Sequence, residues 1–118
     1  MEIIEKQKNN TVQLNGYIGK KPIIKTLANG SKMARTSVAT NDYYYTVSGK
    51  LKKETQWHNV IAWGKNASTM ENNLDKGSPV SIQGKLKVKT FTDADGEKYS
   101  ITEVEIITYC YGKNKLSA

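Results

Sequence analysis

Val80-Ser-Ile-Gln-Gly-Lys-Leu-Lys-Val-Lys89 alternates apolar and polar residues: Val80, Ile82, Leu86 and Val88 fall on one parity, and Ser81, Gln83, Lys85, Lys87 and Lys89 on the other. Successive side chains of an extended backbone point to opposite faces, so this stretch predicts a half-buried strand with a lysine-rich outer face. Phe91 continues the lysine parity and adds an aromatic ring to the basic row. Gly84, in the middle, allows the strand to coil sharply.

Upstream of this strand, Ser78-Pro79 restarts the extended chain after a segment with a different period. Ala67, Met70 and Leu74 recur at helical spacing, and Gly77 follows Lys76. The pattern predicts one short helix, Asn66 to Lys76, with Asn66 or Ser68 as its cap. Before it, Thr55 to Trp63 reads as a strand whose odd-numbered residues, Trp57, Asn59, Ile61 and Trp63, share a face. Ser48 to Lys53 holds Ser48-Gly49 and three lysines and suits an exposed hairpin loop. A long strand from Met33 to Tyr45 precedes it. Asn29-Gly30 is a two-residue hairpin signal, and Ile23 to Leu27 is a short extended piece behind Pro22. The first strand begins at Thr11, with Val12, Leu14 and Ile18 on one face and Gly16 interrupting it. Downstream, Asp93-Ala-Asp-Gly96 makes a turn, and Lys98 to Thr108 forms the last strand, with Val104 and Ile106 on one side.

Three strands, a helix and two strands, with glycines in the first and fourth strands to allow sharp coiling, match the OB-fold. That architecture is all-β, a five-stranded Greek-key barrel with one short helix between strands 3 and 4. The expected interior is Val12, Leu14, Ile18, Val38, Val60, Ile82, Leu86, Val104 and Ile106. The barrel spans residues 10–111, between a flexible arm at 1–9 and a short tail at 112–118.

A chain of 118 residues suits one core. Eighteen Lys+Arg against 11 Asp+Glu give a net charge of +7, which favours polyanionic partners. Mean hydropathy is −0.61, no apolar run is long enough to cross a bilayer, and Met1 to Asn10 lacks the apolar core of a secretory signal. A cytoplasmic protein without a membrane partner is expected. One cysteine, Cys110, excludes an internal disulfide and a Cys-rich zinc site, and one histidine, His58, excludes paired-His metal sites. There is no Gly-rich phosphate loop, Ser/His/Asp order or nucleophile elbow, so neither enzymatic activity nor a metal or cofactor is expected. Asp93-x-Asp95-Gly96 lacks the later ligands of a calcium loop and reads as a turn. Glu103 and Glu105 read as a solvated strand face.

Lys85, Lys87, Lys89 and Phe91 on one face combine what a nucleic-acid groove needs. Ammonium groups displace counterions from phosphates, and flat rings stack on bases. A merely solvated lysine face is the alternative. Trp57 and Trp63 either fill the core or extend the stacking platform. Of the consecutive tyrosines Tyr43, Tyr44 and Tyr45, beside Lys50, Lys52 and Lys53, at least one faces outward.

Asn10-Thr-Val-Gln-Leu-Asn-Gly-Tyr-Ile-Gly19 with Pro22, Ser37-Val-Ala-Thr40, Thr55-Gln-Trp-His-Asn-Val-Ile-Ala-Trp-Gly-Lys65, Lys76-Gly-Ser78, Ile82-Gln-Gly84 and the stretch from Phe91 to Val104 resemble, in order and spacing, the bacterial single-stranded DNA-binding protein family. The resemblance covers residues 9 to 111. It implies an OB-fold that assembles as a homotetramer and binds single-stranded DNA without sequence preference in replication, recombination and repair, in a nucleoid-associated setting. It places stacking aromatics at Trp57, Trp63 and Phe91 and, within the tyrosine run, most simply at Tyr44. It puts Lys87 and Lys89 on the DNA face and His58 at the subunit interface. Relatives typically continue into a tail with an acidic tip that recruits repair proteins. This sequence ends Lys113-Asn-Lys-Leu-Ser-Ala118, so recruitment by that route is not expected. The competing reading is a dimeric OB-fold accessory of replication restart, acting mainly through protein contacts.

Overall fold

The computed structural model describes residues 9–112. Its elements are β1 (Val12–Ile18), β2 (Ile23–Thr26), β3 (Lys32–Tyr45), β4 (Leu51–Trp63), α1 (Lys65–Asn73), β5 (Pro79–Thr92) and β6 (Lys98–Tyr111). The strands run in the order β1-β5-β6-β4-β3-β2, and β1 also pairs with β3. That additional pairing closes β1, β5, β6, β4 and β3 into a five-stranded barrel. The short extended piece after Pro22 becomes a sixth strand, outside the ring. All pairings are antiparallel except β4 with β6, which are parallel over Asn59–Ile61 and Glu103–Glu105. This is the OB-fold that the element order implies.

Two glycines make the closure possible. A Cβ on Gly16 would fall on the carbonyl oxygen of Ala39, and one on Gly84 would fall on that of Glu105. At Gly84 the β5–β6 register also shifts, which bends the hairpin.

Leu14, Ile18, Val38, Val60, Ile82, Val104 and Ile106 are buried inside the barrel as the alternation requires, and α1 closes one end with Ala67, Met70 and Leu74. Two expected interior residues depart from this. Val12 only packs against the cluster from its edge. Leu86 has the inward parity but is 45% exposed, because the β5–β6 ladder outruns the barrel, pairing as far as Thr92 and Lys98.

The helix ends earlier than its sequence pattern suggests. Leu74 already has extended dihedrals (φ −120°, ψ 135°), and it drops into the core while its N–H donates to the Met70 carbonyl. The start is capped by the backbone of Gly64 (φ 61°) and by no side chain. Asn66 instead donates to the carbonyl of Ile107 at 3.2 Å, so the expected side-chain cap is not made.

The loop expected at Ser48 to Lys53 shrinks to a turn. The Thr46 N–H donates to Lys50 O at 2.8 Å, the Gly49 N–H donates to Thr46 O at 2.9 Å, and pairing resumes at Tyr45 opposite Leu51. The barrel therefore carries two long ribbons, β3–β4 and β5–β6, that project beyond its core. The arm at 1–9 and the tail at 112–118 lie, apart from Asn9 and Gly112, outside the described residues.

Candidate nucleic-acid interface

Strand register decides which side chains share a surface. Arg35 is opposite Ile61, Ile61 lies beside Glu105, and Asn59 lies beside Glu103. Across the second ribbon Glu105 is opposite Lys85, Glu103 opposite Lys87, Ile101 opposite Lys89 and Tyr99 opposite Phe91. Trp57, Trp63, Lys85, Lys87, Lys89 and Phe91 thus lie on one outward sheet face.

Both indoles are outside the core: Trp57 is 63% exposed and Trp63 41%. Trp57 lies against Gly19, and a Cβ on Gly19 would run into its six-membered ring and the Ser37 hydroxyl. The missing side chain at Gly19 gives the indole its seat. Trp63 shares a groove with Ile61, Lys87, Lys89, Glu103 and Glu105. The Phe91 ring stacks on Tyr99 with centroids 5.4 Å apart and planes 24° from parallel. Tyr99 did not stand out in the sequence, although a turn at Asp93–Gly96 sets it opposite Phe91.

The tyrosine run divides by parity. Tyr43 opposes Lys53 and Tyr45 opposes Leu51, on the face of Trp57, while Tyr44 opposes Lys52 on the other side of the ribbon. All three are exposed. The structure therefore does not bring Tyr44 onto the sheet face that holds Trp57.

The charges on this face are not all equally available. Lys85 Nζ stands 3.8 Å from Glu105 Oε1 and Lys89 Nζ 3.5 Å from Glu103 Oε1, and Arg35 Nε donates to Glu103 Oε2 at 3.1 Å. Lys87 has no carboxylate partner among the described residues. Glu103 is not the solvated residue its sequence context suggests. It is 5% exposed because β6 runs between β5 and β4 and the side chains of Arg35 and Lys89 reach over it from either side. Arg35 was missed in the sequence because only the β3–β4 register shows that it faces this surface. Four cations against two carboxylates leave the face positive.

His58 has the opposite parity. Its Nε2 lies 2.9 Å from Thr40 Oγ1, in a polar groove that also contains Gln13, Asn15, Asp42 and Gln56. Asp93 Oδ1 accepts the N–H groups of Asp95 and Glu97, both at 2.9 Å, so this carboxylate is used to build the turn. Among the described residues no group of three His, Cys, Asp or Glu side chains is placed to hold a metal ion, and no helix is long and apolar enough to cross a membrane.

Comparisons with known proteins agree with this fold. The profile of the single-strand binding protein family matches residues 9–109. Single-stranded DNA-binding protein 1 of Chlorobaculum tepidum is 34% identical over 96 residues, which are 80% of this chain and 59% of that protein. The chain thus spans about three fifths of the length of that curated relative. Among solved structures, a Plasmodium falciparum SSB complex with single-stranded DNA superposes with a TM-score of 0.82 at 28% identity, covering 93% of this chain and all of the other. The small single-stranded DNA-binding protein of Streptomyces coelicolor shares the fold, with a TM-score of 0.70 at 24% identity, over 88% of this chain and 95% of the other.

Proposed function

The chain belongs to the single-strand binding protein family, and from that premise we propose that it binds and protects single-stranded DNA without sequence-specific readout, as a binder and not as a catalyst. The observation that carries this reading is the shared face: exposed Trp57, Trp63 and Phe91 stand among Lys85, Lys87, Lys89 and Arg35. Bases stack on the rings, and every base has a π-face, so the contact tolerates any sequence. The phosphates between them meet ammonium groups and release counterions. Tyr43 and Tyr45 extend the track along the first ribbon, and Tyr44 engages a strand that crosses the ribbon's other side.

A homotetramer working in the bacterial cytoplasm, in replication, recombination and repair, completes the proposal, with His58 at a subunit contact. The alternative of an accessory protein acting mainly through protein contacts gains nothing from a face so rich in exposed rings and lysines.

The test is a titration of oligo(dT) into the protein, followed by tryptophan fluorescence at low and high salt. Strong quenching that persists as salt rises is expected from indoles stacked on bases. An unquenched signal at saturating DNA would remove Trp57 and Trp63 from the contact.

A further inference from the structure

Between Phe91 and Arg35 the face dips into a groove lined by Arg35, Lys89, Phe91, Ile101 and Glu103. Its floor is a carboxylate. The Glu103 side chain is only 7% exposed, and its Oε2 accepts the Arg35 Nε–H at 3.1 Å. The other oxygen, Oε1, is buried with no hydrogen-bond partner among the described residues. The Lys89 ammonium stands 3.5 Å away, outside hydrogen-bond geometry. A desolvated acceptor without a donor is costly, and a ligand that supplies the donor recovers that cost.

A DNA strand offers two kinds of group to this groove. A phosphate entering the groove itself would compete with Glu103 for Arg35 and Lys89, which that carboxylate already engages, so phosphates meet these cations better at the groove's rim than on its floor. A base edge has the opposite character. Phe91 and Ile101 give its flat surface apolar contact, and an amino group on its rim can donate to Oε1. Lys89 covers that oxygen from a flexible stem and can swing toward a neighbouring phosphate.

We infer that Glu103 is a base-reading residue whose Oε1 accepts a hydrogen bond from the exocyclic amino group of cytosine, adenine or guanine in this groove, and so disfavours thymine there. This inference rests on the single-stranded-DNA reading and adds to it a local preference within a sequence-tolerant track. Thymine has no exocyclic amino group; its one donor, the N3–H, is flanked on both sides by carbonyl oxygens that the carboxylate repels, so it makes the weaker contact.

The experiment compares oligo(dC) with oligo(dT) of equal length on the wild type, Glu103→Met and Glu103→Gln, with a thermal melt of each protein. Differences in stacking between the two homopolymers cancel when their affinity ratio is compared across proteins. In Glu103→Met, which removes the acceptor at nearly the same length, the preference for dC relative to dT should fall about tenfold, the size of one hydrogen bond to a charged acceptor. Glu103→Gln keeps the shape and a neutral acceptor and should give a smaller shift in the same direction; it carries the test if the methionine variant does not fold.

An unchanged dC-to-dT ratio in the folded variants would overturn the inference and leave the DNA-binding reading standing. Equal loss for both oligonucleotides would make Glu103 only an anchor for Arg35, which also overturns it. A wild type that binds neither oligonucleotide would overturn the binding reading, and the inference with it.

Discussion

Lys87 and Lys85 lie two residues apart on the same face of β5, yet the structure predicts different consequences when each is replaced by alanine. Lys85 has Glu105 at 3.8 Å, whereas Lys87 has no carboxylate partner among the described residues and is free to meet a phosphate. For a single strand, each neutralised phosphate adds about 0.7 to the slope of log K against log salt. Lys87→Ala should therefore flatten that slope by about 0.7, so that its lines and those of the wild type converge near 1 M salt. Working back from that point, the deficit is about eightfold at 50 mM salt and about threefold at 200 mM. Lys85→Ala should flatten the slope much less, because the cation it removes is already matched by Glu105. The assay is the anisotropy of a labelled oligonucleotide short enough to occupy one protomer, across that salt range. Equal slopes for the wild type and Lys87→Ala, or a larger change in Lys85→Ala, would refute the assignment of Lys87 as the available phosphate contact.

Trp57→Ala should weaken binding by about 1–3 kcal/mol at every salt concentration and leave the slope unchanged, as loss of one stacked base requires; a changed slope in the anisotropy titration would contradict this. Gly19→Ala pushes a methyl group into the ring of Trp57. It should reduce fluorescence quenching by DNA while calorimetry finds the melting temperature little altered. Gly16→Ala sets a Cβ against the carbonyl of Ala39, which is backbone and cannot step aside. It should lower the melting temperature by about 10 °C or more, through about 3 kcal/mol of overpacking at the barrel closure, and an unchanged melt would refute that role for the glycine.

The parts of the fold that the sequence made legible are those governed by local periodicity. The alternation of Val80 to Gly84, the helical spacing of Ala67 and Met70, and the glycines at 16 and 84 each state a constraint within a few residues, and each is met, whereas Leu74 is buried from an extended backbone and Val88 is exposed. Burial depends on distance from the core as well as on parity. Leu86 has the inward parity but lies where β5 has already left the barrel. The placement of the site residues follows the same division. Lysines and rings on one strand share a face by parity alone, but how far each is neutralised depends on strands remote in sequence. That is why Glu103 reads as a solvated carboxylate in isolation and is buried once Arg35 and Lys89 are brought to it. The tyrosine run could not be resolved until the pairing of Tyr43 with Lys53 fixed the register.

The parallel seam between β4 and β6 has only three registered pairs, Asn59 with Glu103, Val60 with Val104 and Ile61 with Glu105, and it joins segments separated by the whole of α1 and β5. The two long ribbons, by contrast, pair neighbouring segments across short turns. Loop-closure entropy must be met before a distant pairing returns any contact energy, so the ribbons can form early and the seam only after them. The seam and the β1–β5 pairing, which is more distant still in sequence, are therefore expected among the late steps of folding. Glu103 and Glu105 sit on that seam, so substitutions made there to change DNA binding should also be followed in refolding kinetics, where a slowed folding arm would show that the seam is part of the transition state.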